Sequence, residues 1–62
     1  MPERRPHILI ADDDASVRRL IELVLRKDGY RLTLTATGLN ALERLQAETP
    51  DLVICDLNMP DL

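Results

Sequence analysis

The sequence is poor in cysteine, in long apolar runs and in clustered positive charge, and each shortage removes a class of protein. Cys55 is the single cysteine of 62 residues, so no internal disulfide can form. A lone thiol inside the apolar run Leu52-Val53-Ile54-Cys55 fits a reducing compartment, and the expected location is cytoplasmic. No apolar run exceeds four residues, against the roughly 20 that a membrane-spanning helix requires. The opening Met1-Pro2-Glu3-Arg4-Arg5-Pro6 is polar and twice interrupted by proline. It lacks the apolar centre of a secretory signal and reads as a flexible lead-in over residues 1–6. The eight Lys and Arg are scattered and the net charge is -3, which speaks against direct contact with nucleic acid, because phosphate recognition needs clustered cations.

What is present is a globular balance, with 45% hydrophobic and 31% charged residues. A chain of this size buries only about 60% of its unfolded surface, so it is expected to lean on a partner for stability. Ile8-Leu9-Ile10-Ala11 stops abruptly at Asp12-Asp13-Asp14, as a parallel strand covered on both faces would. The period then changes. Val17, Leu20, Ile21, Val24 and Leu25 recur at helical spacing, with Asp14 placed to cap the helix and Lys27-Asp28-Gly29 placed to end it. Arg31-Leu32-Thr33-Leu34-Thr35 alternates, which predicts an edge strand with one wetter side. Leu39, Ala41, Leu42 and Leu45 mark a second amphipathic helix, stopped by Pro50. Leu52-Val53-Ile54-Cys55, ending in Asp56, repeats the pattern of the first strand.

A β-α-β-α-β order with short connections forces parallel strands and right-handed crossovers, giving an α/β, doubly wound sheet. Burial places the alternating strand at the edge, in the order 2-1-3. Strand three then reads as interior while its far side needs cover. Self-association through that strand, in a two-fold dimer ordered 2-1-3-3′-1′-2′, is one expected solution.

In the order 2-1-3, Asp12, Asp13 and Asp56 converge at the carboxyl end of neighbouring strands, where open parallel sheets bind ligands. Three carboxylates so close repel one another. Mg²⁺, which accepts one or two carboxylates with waters and phosphoryl oxygens, suits such a donor set.

The stretches Ile8-Leu9-Ile10-Ala11-Asp12-Asp13-Asp14 and Asp51-Leu52-Val53-Ile54-Cys55-Asp56-Leu57-Asn58-Met59-Pro60 resemble the two leading signatures of response-regulator receiver domains, which have a flavodoxin-like fold. The likeness extends from about His7 to the end, over residues 7–62. It implies the N-terminal half of such a domain, without its last two strands and last three helices, and the same strand order. It further implies a phosphoacceptor signalling module of a two-component system and not a classical enzyme. In that role Asp56 takes a phosphoryl group from a sensor histidine kinase or phosphotransfer protein. Asp12, Asp13, Asp56 and the backbone carbonyl of Asn58 would hold Mg²⁺, and Met59-Pro60 would shape the loop beneath the phosphoryl group. No residue matches the family's Ser or Thr ending strand four, or its Lys ending strand five, so switching is expected to be impaired.

Other readings compete residue by residue. Asp12-Asp13-Asp14 alone would serve as a helix-capping turn. Asp12-x-Asp14-x-Ser16 is similar to the nucleophile motif of haloacid-dehalogenase-type phosphatases, with Asp12 as nucleophile. His7 is expected to open a strand and Cys55 to be a packed core thiol. Arg18-Arg19 is expected on the solvated face of its helix, with kinase docking as a second role.

Overall fold

The computed structural model describes residues 5–56. Residues 1–4 of the lead-in and residues 57–62, which include Asn58, Met59 and Pro60, lie outside the described residues. The order is β1 (His7–Ala11), α1 (Ala15–Lys27), β2 (Arg31–Thr35), α2 (Gly38–Ala47) and β3 (Leu52–Cys55). The sheet has the order β2-β1-β3, with both pairings parallel. Ile10 is level with Leu34 on one side and Ile54 on the other. This is the α/β architecture expected of a flavodoxin-like sheet.

Side chains alternate across β1 and divide it between two helices. Leu9 and Ala11 pack with Ala41 and Leu45 of α2, while Ile10 shares its face with Ile54, which borders Ile21 and Leu25 of α1. Central β1 is therefore buried along its whole length.

The punctuation follows the side chains. Asp14 Oδ1 accepts from the amides of Ser16 and Val17 at 2.8 and 3.2 Å, satisfying two donors that the first turn of α1 leaves orphaned. At the other end Gly29 adopts φ 88°. Tyr30 N–H donates to Leu25 O and Gly29 N–H to Arg26 O, a Schellman closure that a side chain at Gly29 would strain. Thr37 caps α2 by accepting from Asn40 N–H at 3.1 Å. Helix α2 closes at Ala47, where Glu48 turns extended, three positions before the proline taken to stop it.

His7 opens β1 as expected. Its amide donates to Asp51 Oδ2 at 2.7 Å and its ring Nε2 pairs with Thr33 Oγ1 at 2.7 Å. Two expectations need correction. Thr35, on the supposedly wetter side of β2, is buried because its hydroxyl donates to Ile10 O at 3.0 Å and so needs no water. Cys55 is exposed and not a core thiol, since no described element lies beyond β3. Leu52 and Val53 are 53% and 43% exposed for the same reason. None of the described helices is long and apolar enough to cross a membrane.

Candidate functional site

The sequence-predicted carboxylates come together because β1 and β3 are adjacent, parallel and in register. Ala11 is level with Cys55, so the residue after each strand emerges at the same height. Asp56 N–H donates to Ala11 O at 2.9 Å, which joins the two strand ends by a direct bond. Donor atoms of Asp12, Asp13 and Asp56 all lie within 4.8 Å of one another. Asp12 is buried, Asp56 half-buried and Asp13 exposed, so the cluster grades from the sheet outward to solvent.

The loop after β1 is tied at several points. Asp12 N–H donates to Thr35 O at 3.1 Å, extending the β1–β2 ladder by one bond past the strand. Asp12 Oδ1 accepts from Asp14 N–H at 2.8 Å, which orients one side-chain oxygen of the buried acid. Asp12 O accepts from Arg18 Nη1 at 2.8 Å. Arg18 is half-buried, and this contact corrects the expectation that it lies on a solvated face. Arg18 and Thr35 are the site residues that sequence reasoning missed. A signal for Arg18 existed, since a cation one turn into a helix opposes the positive end of the dipole and calls for a compensating acceptor.

At 4.8 Å or less, each pair of ionised carboxylates costs on the order of 1 kcal/mol in water and about 3 kcal/mol at an effective dielectric near 20. A small hard cation would relieve this. Mg²⁺ holds oxygens at about 2.1 Å in an octahedron, which puts ligand oxygens roughly 3 Å apart at right angles and about 4.2 Å apart across the ion. The all-oxygen trio, within 4.8 Å of one another, therefore fits that octahedron with side-chain movements of about 1 Å. Asn58, expected to add a backbone carbonyl, is outside the described residues. A groove of about 550 Å³ lined by Arg18, Leu34, Thr35, Ala36, Asn40 and Arg44 runs beside β2, and the acidic trio is not part of it.

Comparisons with known proteins agree with this fold. The family profile described as the response regulator receiver domain matches residues 8–62. Among curated relatives, the transcriptional regulatory protein ZraR of Klebsiella oxytoca is 42% identical over 55 residues, covering 89% of this chain and 12% of the relative. The DNA-binding response regulator MtrA of Mycobacterium tuberculosis is 37% identical over 62 residues, covering all of this chain and 27% of its own. Among solved structures, the chemotaxis response regulator CheY4 of Vibrio cholerae matches with a TM-score of 0.90 and 32% identity, over 95% of this chain and 49% of that one. The chain thus spans about half the length of that solved structure and about a quarter or less of these curated relatives.

Proposed function

This chain belongs to the response regulator receiver domain family, a signalling domain of two-component systems, and from that premise we propose that it accepts a phosphoryl group on Asp56. The donor is a sensor histidine kinase or phosphotransfer protein. One observation carries the reading: carboxylates from two adjacent parallel strand ends meet within 4.8 Å, at the sheet end where this fold class binds ligands.

Asp56 is the nucleophile. One of its carboxylate oxygens attacks the phosphorus of a phosphohistidine, forming a P–O bond as the P–N bond opposite it breaks. The leaving electron pair stays on the imidazole nitrogen, which takes a proton from solvent. An anionic nucleophile needs no general base, so in-line positioning and charge neutralisation dominate. Asp12, Asp13 and Asp56 would hold Mg²⁺, Asp13 the more directly. An ion held there would supply the positive charge that lets the carboxylates and the phosphoryl oxygens share one site. The bond from Asp56 N–H to Ala11 O holds the nucleophile's backbone against the strand that carries the acid pair.

With Mg²⁺ and acetyl phosphate as donor, the wild-type chain is expected to take up phosphate in an acyl linkage and Asp56→Ala to take up none. Asp13→Ala keeps the nucleophile and should slow uptake by at least the roughly tenfold that even an outer-shell partner of a metal contributes. Undiminished uptake by Asp56→Ala would falsify the reading.

Exposure along β3 favours a second property, self-association. Among the described residues, Leu52, Val53, Ile54 and Cys55 form an edge without a charge or proline, whereas monomeric proteins usually protect such edges with one or the other. Beside it, Ile54 faces an apolar groove with Leu20, Ile21, Val24 and Leu25. A second copy turned about a two-fold axis normal to the sheet would pair β3 with β3′ antiparallel and cover both grooves. Light scattering should then report a dimer for the wild type and a monomer for Ile54→Lys. An unchanged mass in the variant removes this property and leaves the phosphoacceptor reading intact.

A further inference from the structure

Arg18 and Arg19 are adjacent in sequence and alike in chemistry, yet the structure gives them different work. Arg19 is exposed and reaches the half-buried Glu22 Oε1 at 3.3 Å, one turn along the same helix. Arg18 turns back over the start of α1, and its Nη1 donates to the main-chain carbonyl of Asp12 at 2.8 Å. That carbonyl belongs to the peptide joining Asp12 to Asp13. Holding its plane limits the directions in which both carboxylates leave the backbone. The same residue is tied through its amide to Thr35 O and through Oδ1 to Asp14 N–H. Without the guanidinium, the Asp12-Asp13 peptide would lose the tie on its carbonyl, while Asp12 would keep the bonds through its amide and its side chain.

We propose that Arg18 is a positioning residue for the acidic site, a clamp on the Asp12 carbonyl that holds the Asp12-Asp13 turn in its cation-ready shape. Its consequence for Mg²⁺ rests on the reading given under Proposed function, while the clamp itself is a property of the metal-free chain. Two effects of the guanidinium oppose each other. Its charge repels an arriving cation, and its hydrogen bond pre-orders the ligands that cation needs. A bond from a charged donor is worth more than a neutral one, whereas repulsion reaching the ion from a half-buried group is screened by solvent and salt. Ordering therefore wins, and removing Arg18 should weaken Mg²⁺ binding. The groove beside Arg18 leaves room for other side chains, so substitution there is expected to leave the fold intact.

The test compares wild type, Arg18→Lys, Arg18→Met and Arg19→Met by NMR. Amide hydrogen exchange at Asp13 and Asp14 is read without metal, and Mg²⁺ affinity is read from titration of the same resonances. In Arg18→Met, losing the charge-assisted bond should speed exchange at Asp14 by about tenfold and raise the Mg²⁺ Kd by roughly five- to tenfold. Arg18→Lys keeps a charged donor and should recover most of both, and Arg19→Met should change neither. Tighter Mg²⁺ binding by Arg18→Met would mean that the guanidinium acts only as a repelling charge and overturns the proposal. Unchanged exchange at Asp14 does so too. A wild-type chain that binds no Mg²⁺ overturns the cation-site reading instead, and the clamp then stands or falls on the exchange rates alone.

Discussion

Strands β1 and β3 are near copies in sequence pattern and opposites in environment. Ile8-Leu9-Ile10-Ala11 and Leu52-Val53-Ile54-Cys55 are both short apolar runs that end in an acid. Residues 8–11 are 0 to 4% exposed, whereas Leu52 and Val53 are 53% and 43% exposed. The difference lies in the neighbours. β1 has a strand on each side and a helix over each face, while β3 has β1 on one side and no described strand on the other. An apolar run reports what a strand would tolerate; it does not report what the chain supplies to cover it.

That contrast is most sharply tested in the core. Leu9→Ala should cost about 2–5 kcal/mol, the usual range for a fully buried leucine, and in a chain this small that abolishes cooperative folding. Val53→Ala, at an exposed position, should cost less than about 1 kcal/mol in urea unfolding. A cost for Val53→Ala that approaches that of Leu9→Ala, and grows with protein concentration, would mean that β3 is covered in solution by another copy. The Ile54→Lys experiment lies between these extremes, since Ile54 is half-buried beside Ile21 and Leu25 of α1 and also borders the groove that association would cover.

The smallest expected effect concerns the opposite edge. β2 begins with Arg31, whose guanidinium donates to Glu48 Oε2 at 2.9 Å, so this edge carries the charge that β3 lacks. The hydrogen bond from Arg31, then its positive charge, with a smaller contribution from His7, hold the Glu48 carboxyl below its ordinary value. A carboxyl lowered in the folded state contributes stability at neutral pH, and that contribution disappears as pH falls through the lowered value. Because Glu48 is exposed, the contribution is small and screened. Arg31→Ala should return Glu48 toward the ordinary carboxylate midpoint in an NMR titration while leaving the melting temperature nearly unchanged. A Glu48 midpoint that did not move would show that Arg31 is not its partner in solution.

Much of the fold was legible because local chemistry and global arrangement agree. Asp14 announces the start of α1, Gly29 its end, and the alternation of β2 its edge position. The convergence of Asp12, Asp13 and Asp56 could be deduced once β1 and β3 were neighbours. The illegible features depend on partners distant in sequence. Thr35 reads as a wet position until the Ile10 carbonyl is brought beside it. Arg18 reads as solvated until the helix folds back over the Asp12 carbonyl. Cys55 reads as buried because its neighbours in sequence are apolar, although the space beyond them holds no described element.

The central claim is that Asp56 is the phosphoryl-accepting member of the acidic trio, and the site of acceptance can be read on the unaltered chain. After reaction with Mg²⁺ and acetyl phosphate, borohydride reduces an aspartyl phosphate to homoserine, and peptide mass spectrometry then reports which aspartate was converted. The account predicts homoserine at position 56 and intact aspartate at positions 12 and 13. Homoserine at position 12, as a phosphatase-type nucleophile would give, or intact aspartate at all three positions, would contradict it.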